Sequence, residues 1–230
     1  MLTEKNLARD YPLAIKFLLA CGAIGPLLFI IVFLIEGATR PGYSAWRDFV
    51  SDLGLSNQGW MQVANFLVCG LLTLGCAVGL RLVLRTGKGS VGGPLLLGMF
   101  SMGLIMAGLF TTDPNLGYPP GSPTNGHQTL HGTLHGIAGI IVFFSVGIAS
   151  LIMARRFAGD PRWKGWAAYS ILTGIVVIVF FIASTVASVL DATGTLPNSP
   201  TGLLQRIAII VGWGWVALLA IQLLRRRAPA

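Results

Sequence analysis

Six stretches of about 20 mostly apolar residues, at 14–36, 60–80, 91–110, 133–154, 167–190 and 204–224, take up most of this chain. At 1.5 Å per residue, about 20 residues in a helix cross a hydrocarbon core of ~30 Å. None of the six carries a charged residue near its middle. In hydrocarbon a lone strand leaves its backbone groups unpaired, so even the mostly β-branched run 175–180 is predicted to be helical. The expected fold is all-α: a six-helix transmembrane bundle that makes residues 1–230 a single integral membrane domain. Composition agrees, since 54% hydrophobic and 10% charged residues lie outside the soluble globular range.

The formal charge of +8 does not indicate nucleic-acid binding, because the basic residues sit at the ends of apolar runs. Thirteen Lys and Arg lie in the N-terminal tail, the second and fourth connections and the C-terminal tail, whereas the first, third and fifth connections hold only Arg40, Arg47 and Arg206. Basic loops stay on the cytoplasmic side, so both termini are predicted inside and the odd-numbered connections outside a cell membrane. The first apolar run, 19 residues from Phe17 to Ile35, exceeds a signal-peptide core and is expected to be a retained first helix. Cys21, Cys69 and Cys76 fall within spans and are expected to be small core residues rather than disulfide partners. Glycine pairs four apart, Gly75 with Gly79 and Gly132 with Gly136, suggest close helix contacts and a helix-mediated oligomer.

Unusual residues concentrate in the outer connections. In the first, Tyr43, Trp46, Phe49, Val50 and Leu53 recur at helical spacing opposite Arg47, Asp48, Ser51 and Asp52, which predicts a short interfacial helix. Ser51 is expected to cap a turn. The third connection contains Asp113-Pro114 and a proline-rich run, and is expected to be irregular. His127, His131 and His135 follow at i, i+4 and i+8 and would form one stripe about 12 Å long, so only an adjacent pair can share an ion. His131 and His135, with Asp113 and Asp52 on the same side, make a candidate zinc set; the alternative is a group of interfacial hydrogen-bond partners. Haem ligation needs histidines from two helices, and ion-coupled transport needs a midplane charge; neither is present in the sequence.

The segment Tyr43-Ser44 through Phe49-Val50-Ser51-Asp52-Leu53-Gly54, then Trp60 and a Gly-rich helix, resembles a bacterial and archaeal membrane family known as domain of unknown function number 998. Gly108-Leu109-Phe110-Thr111-Thr112-Asp113, followed by Leu134-His135-Gly136, is similar to that family's Gly-x-Phe-x-x-Asp and His-bearing helix. The likeness runs from the first helix to the fifth. It departs at Thr111 or Thr112, where the family commonly has proline, and in the two upstream histidines. It implies the same topology and singles out Ser51, Asp52, Asp113 and His135. A more distant analogy links these residues to membrane hydrolases of the alkaline ceramidase type, which use Ser, Asp and His around zinc.

Two functional expectations follow. One is a multipass membrane protein that binds a lipid headgroup or small ligand on its outer face, with membrane lipids as partners. The other is a zinc-dependent hydrolase of a lipid amide or ester, with His131 or His135 and Asp113 on the ion and Asp52 as ligand or general base.

Overall fold

The computed structural model describes residues 11–124 and 126–225. Its six long helices are α1 Leu13–Thr39, α2 Trp60–Val83, α3 Gly92–Leu109, α4 Leu130–Phe157, α5 Trp166–Ala192 and α6 Thr201–Leu224. Every boundary lies within three residues of the one expected from the apolar runs. All six are long and apolar enough to cross a membrane.

Each helix packs against its neighbours in chain order, and α6 returns to α1, so the six form a closed ring. Neighbours run antiparallel: along α1 and α2, Gly22 lies against Cys76 and Gly25 against Leu72. An aromatic cluster joins the helices within an otherwise largely aliphatic core: Trp213 of α6 meets Phe29 of α1, Phe100 of α3 and Phe143 of α4 at centroid distances of 5.6, 4.7 and 5.7 Å. Between lipid-embedded helices there is little hydrophobic driving force, and close packing with a few hydrogen bonds takes its place. Ser101 of α3 donates to Thr73 of α2 at 3.0 Å, the Trp215 indole donates to Ser170 of α5 at 2.9 Å, and Asn65 of α2 donates to the Phe29 carbonyl of α1 at 3.2 Å. The three cysteines are free and buried.

The two glycine pairs behave differently. A Cβ at Gly79 would lie 2.9 Å from the Leu18 Cβ, so α1 and α2 touch backbone to backbone there, and one at Gly75 would make ordinary contact with Leu18. At Gly132 the neighbour is the Asp113 carboxylate, and Gly136 faces open space. The second pair is therefore not a helix contact.

One end of the ring is basic, with Arg81, Arg85, Lys88, Arg155, Arg156, Arg162 and Lys164. At the other end the first, third and fifth connections fold over the ring as a cap. Gly42, at φ +72°, packs against Pro120, the Tyr43 and Tyr118 rings meet edge-on at 5.3 Å, and Asn115 donates to Ser188 at 3.1 Å. The predicted interfacial helix over 43–53 needs correcting. That segment is a turn followed by a single 3₁₀ turn, Val50–Gly54, and it points inward: Val50 and Leu53 are buried, and so are Asp48 and Asp52 of the expected polar face.

Candidate functional site

Three arginines hold the cap. The guanidinium of Arg40 meets Glu36 at 3.0 Å and donates to the Leu53 carbonyl and the Ser56 hydroxyl at 3.2 and 2.9 Å. Arg47 grips Asp191, at the end of α5, with a two-pronged pair of 2.8 and 2.7 Å. Arg206 of α6 donates to the Ala45 carbonyl at 2.7 Å and to the Tyr43 hydroxyl, and its guanidinium lies over the Tyr43 and Phe33 rings at 5.3 and 5.9 Å. Planar guanidinium suits such forked and stacked contacts. Gln205 then seats the 3₁₀ turn on α6 by accepting from the Val50 N–H at 2.7 Å.

This folding-in perturbs the carboxyls it encloses. Burial, with the charge of Asp48 adding to it, pushes Asp52 well above the ordinary carboxylate range. Burial also raises Asp48, against the backbone N–H of Ser44 that bonds it at 2.7 Å. Asp52 accepts the Phe49 N–H at 2.9 Å through Oδ2, while its buried Oδ1 has no partner among the described residues. Asp52 thus makes the turn-capping bond expected of Ser51.

The sequence-predicted residues divide between two places. Asp113 closes the start of α4: it accepts from the Thr129 N–H and hydroxyl, both at 2.7 Å, and Thr129 in turn caps the Gly132 N–H at 3.1 Å. A carboxylate at a helix N-terminus is favourable on electrostatic grounds. His127 precedes the helix and is exposed, and exposed His131 lies against the Phe110 ring at 5.4 Å, so the stripe is broken at its first member. His135 turns into the bundle. Its Nδ1 contacts the Phe110 and Ala107 carbonyls at 2.7 and 3.2 Å, at the end of α3. Among the described residues, no group of three or more His, Cys, Asp or Glu side chains is placed to hold a metal ion. The proposed set of Asp52, Asp113, His131 and His135 is not assembled, because Asp113 is taken up by Thr129 and His131 lies at the rim.

Ser51 and His135 do come together. Both line a cavity of about 40 Å³ under the 3₁₀ turn, with Gln205 beside them and Phe29, Phe66, Phe143 and Trp213 as apolar walls. Two carbonyls on Nδ1 require the proton there, which leaves the Nε2 lone pair as an acceptor. The Ser51 hydroxyl makes no hydrogen bond among the described residues, and neither does the buried indole N–H of Trp213. Buried polar groups are ordinarily paired, so the spare indole N–H of Trp213 beside the partly buried Ser51 hydroxyl and His135 imidazole indicates a site for a hydrogen-bonding guest. A Cβ at Gly139, which also lines the cavity, would meet nothing within 4 Å.

Sequence reasoning missed Gln205, Trp213 and the arginine contacts. The signal was present in the charge count: Arg40, Arg47 and Arg206 are the three basic residues on the side that otherwise lacks them, and each is held by acceptors of the cap. No curated protein and no solved structure matches the chain. One family model does, described as "Protein of unknown function (DUF998)", over residues 23–222, and the chain belongs to that family.

Proposed function

We propose that this multipass protein is a binding protein of the cell membrane, with both termini cytoplasmic and the cap facing outward. The cavity beneath its 3₁₀ turn receives an uncharged hydrogen-bonding group, such as a hydroxyl, from a lipid headgroup or a small solute. The observation that carries this reading is the meeting of Ser51, His135, Gln205 and Trp213 around one space with hydrogen-bonding capacity left over. The guest is offered an acceptor at His135 Nε2, a donor at Trp213 Nε1 and a hydroxyl that serves as either. Aromatic walls suit the carbon skeleton that bears such a group. The outward orientation is supported by the basic residues at the opposite end and by the pairing of the three arginines of the cap. No observation favours the zinc hydrolase: Asp113 is engaged by Thr129, and among the described residues no three His, Cys, Asp or Glu side chains are placed to hold a metal ion.

Thermal unfolding in mild detergent tests the reading, with wild type and Ser51→Ala compared under three additions. Phosphatidylglycerol carries a headgroup diol, phosphatidylcholine has no headgroup donor, and glycerol is the free solute. Ser51 has no partner to lose, so the variant's own stability should be unchanged. At a hundredfold excess over Kd a ligand contributes about 2.7 kcal/mol, a shift of several degrees. A rise with phosphatidylglycerol that Ser51→Ala abolishes supports a lipid source, and the same pattern with glycerol a free one. Equal responses of the two proteins to all three additions would mean that the cavity holds only water, and would overturn the reading.

A further inference from the structure

A second concavity lies on the outside of the ring, away from the cap. It is a groove of about 720 Å³ along the seam of α2 and α3, walled by Leu74, Val78, Leu95, Met99, Met102 and Met106. Its floor comes from tight packing elsewhere. A Cβ at Gly70 would lie 2.7 Å from Ile105, and one at Gly103 2.7 Å from Val142, so α3 sits close against α2 and α4. At Gly98, by contrast, a Cβ would meet nothing within 4 Å, and the outer surface stays hollow. From Val91 to Met106 the groove runs about 22 Å along α3 at 1.5 Å per residue, more than the ~15 Å that half a bilayer core gives one acyl chain. Unbranched methionines adapt to a flexible occupant.

Arg81 is the one charged residue lining the groove, and it stands in the last turn of α2 at the basic end, followed in the next connection by Arg85 and Lys88. It is exposed, and among the described residues one of its five N–H donors is engaged, by the Leu84 carbonyl at 3.4 Å. Guanidinium matches the paired oxygens of a phosphate. Two copies of this chain packed groove to groove about a two-fold axis would face like charges at this point, which favours a lipid over a second copy.

We propose that the α2–α3 groove binds one acyl chain of an anionic phospholipid, with Arg81 receiving its phosphate. The site is independent of the cap cavity and lies in the leaflet at the basic end. Phosphatidic acid, whose headgroup is the bare phosphate, is the appropriate probe. The full-length protein is reconstituted into phosphatidylcholine vesicles containing phosphatidic acid, extracted gently, and its retained lipids and oligomeric state are read by native mass spectrometry. Wild type should retain one phosphatidic acid per chain in preference to phosphatidylcholine. Arg81→Gln should reduce that preference about five-fold, the effect of about 1 kcal/mol for one basic residue at an anionic surface. Gly98→Phe, whose Cβ meets nothing within 4 Å and whose ring would occupy the groove, should remove the bound lipid. Equal retention of both lipids by wild type, or an unaltered preference in Arg81→Gln, would overturn the proposal. A wild-type dimer that Gly98→Phe dissociates would do the same, by showing that a second copy fills the groove.

Discussion

Asp52 is fully buried, bonded through one oxygen to the Phe49 N–H and unpartnered at the other. Its carboxyl is raised far above its unfolded value, so the folded protein keeps a proton there that the unfolded chain releases. The stability gained is fully present below the unfolded value of about 3.9 and is lost as pH rises through the folded one. Asp52→Asn keeps an acceptor for Phe49 and cannot ionise. Between pH 5 and 8 the stability of the wild type should fall relative to that of Asp52→Asn, by up to about 1.4 kcal/mol per pH unit for as long as folded Asp52 keeps the proton that the unfolded chain has released; parallel pH profiles would show that Asp52 binds no extra proton. Arg47 makes the opposite kind of contribution. Removing it strands an Asp191 side chain that is 1% exposed, while Arg47 itself is 28% exposed. Arg47→Ala should therefore cost about 3 kcal/mol, the low end for a broken buried pair. A loss below 1 kcal/mol by chemical denaturation would mean that water already screens the pair.

At the scale of elements, the helices were legible because length and apolarity decide them locally. α4 starts at Leu130 rather than 133 because Thr129 caps it and Asp113 supports Thr129, contacts that hydropathy does not register. The first connection was misread for a related reason. Its alternation of aromatic and charged residues fits an interfacial helix, but what shapes it are pairings 144 and 163 residues apart, Arg47 with Asp191 and Arg206 with Tyr43. No local pattern carries partners at that separation. Glycine spacing was ambiguous in the same way, since Gly79 is pressed against α1 and Gly136 is not. Gly79→Leu should lower stability by about 1–3 kcal/mol through overpacking. Gly136→Ala should be neutral or slightly stabilising, as for an unobstructed helix position. Equal melting temperatures for Gly79→Leu and wild type would place that face against lipid.

For the whole molecule, the sequence indicated six spans and a charge asymmetry, and the ring adds what encloses a site. Chain-order packing with α6 returning to α1 brings Trp213, Phe29, Phe100 and Phe143 together in the core, and the first connection closes one end. Ser51 and His135 were singled out from the sequence, yet their shared cavity depends on Gln205 seating the 3₁₀ turn and on carbonyls at the end of α3 orienting the imidazole. A guest reaches that cavity from outside the cell only if the cap faces outward, which makes sidedness the claim on which the rest depends. The direct measurement is labelling of intact cells with an impermeant thiol reagent, using single cysteines in a variant without Cys21, Cys69 and Cys76. Thr124→Cys and Thr195→Cys occupy exposed cap positions, and Lys88→Cys an exposed position at the basic end. The two cap cysteines should label in intact cells, and Cys at 88 only after the membrane is permeabilised. Labelling at 88 with protection at 124 and 195 would contradict the orientation, and the cap would then be a cytoplasmic structure.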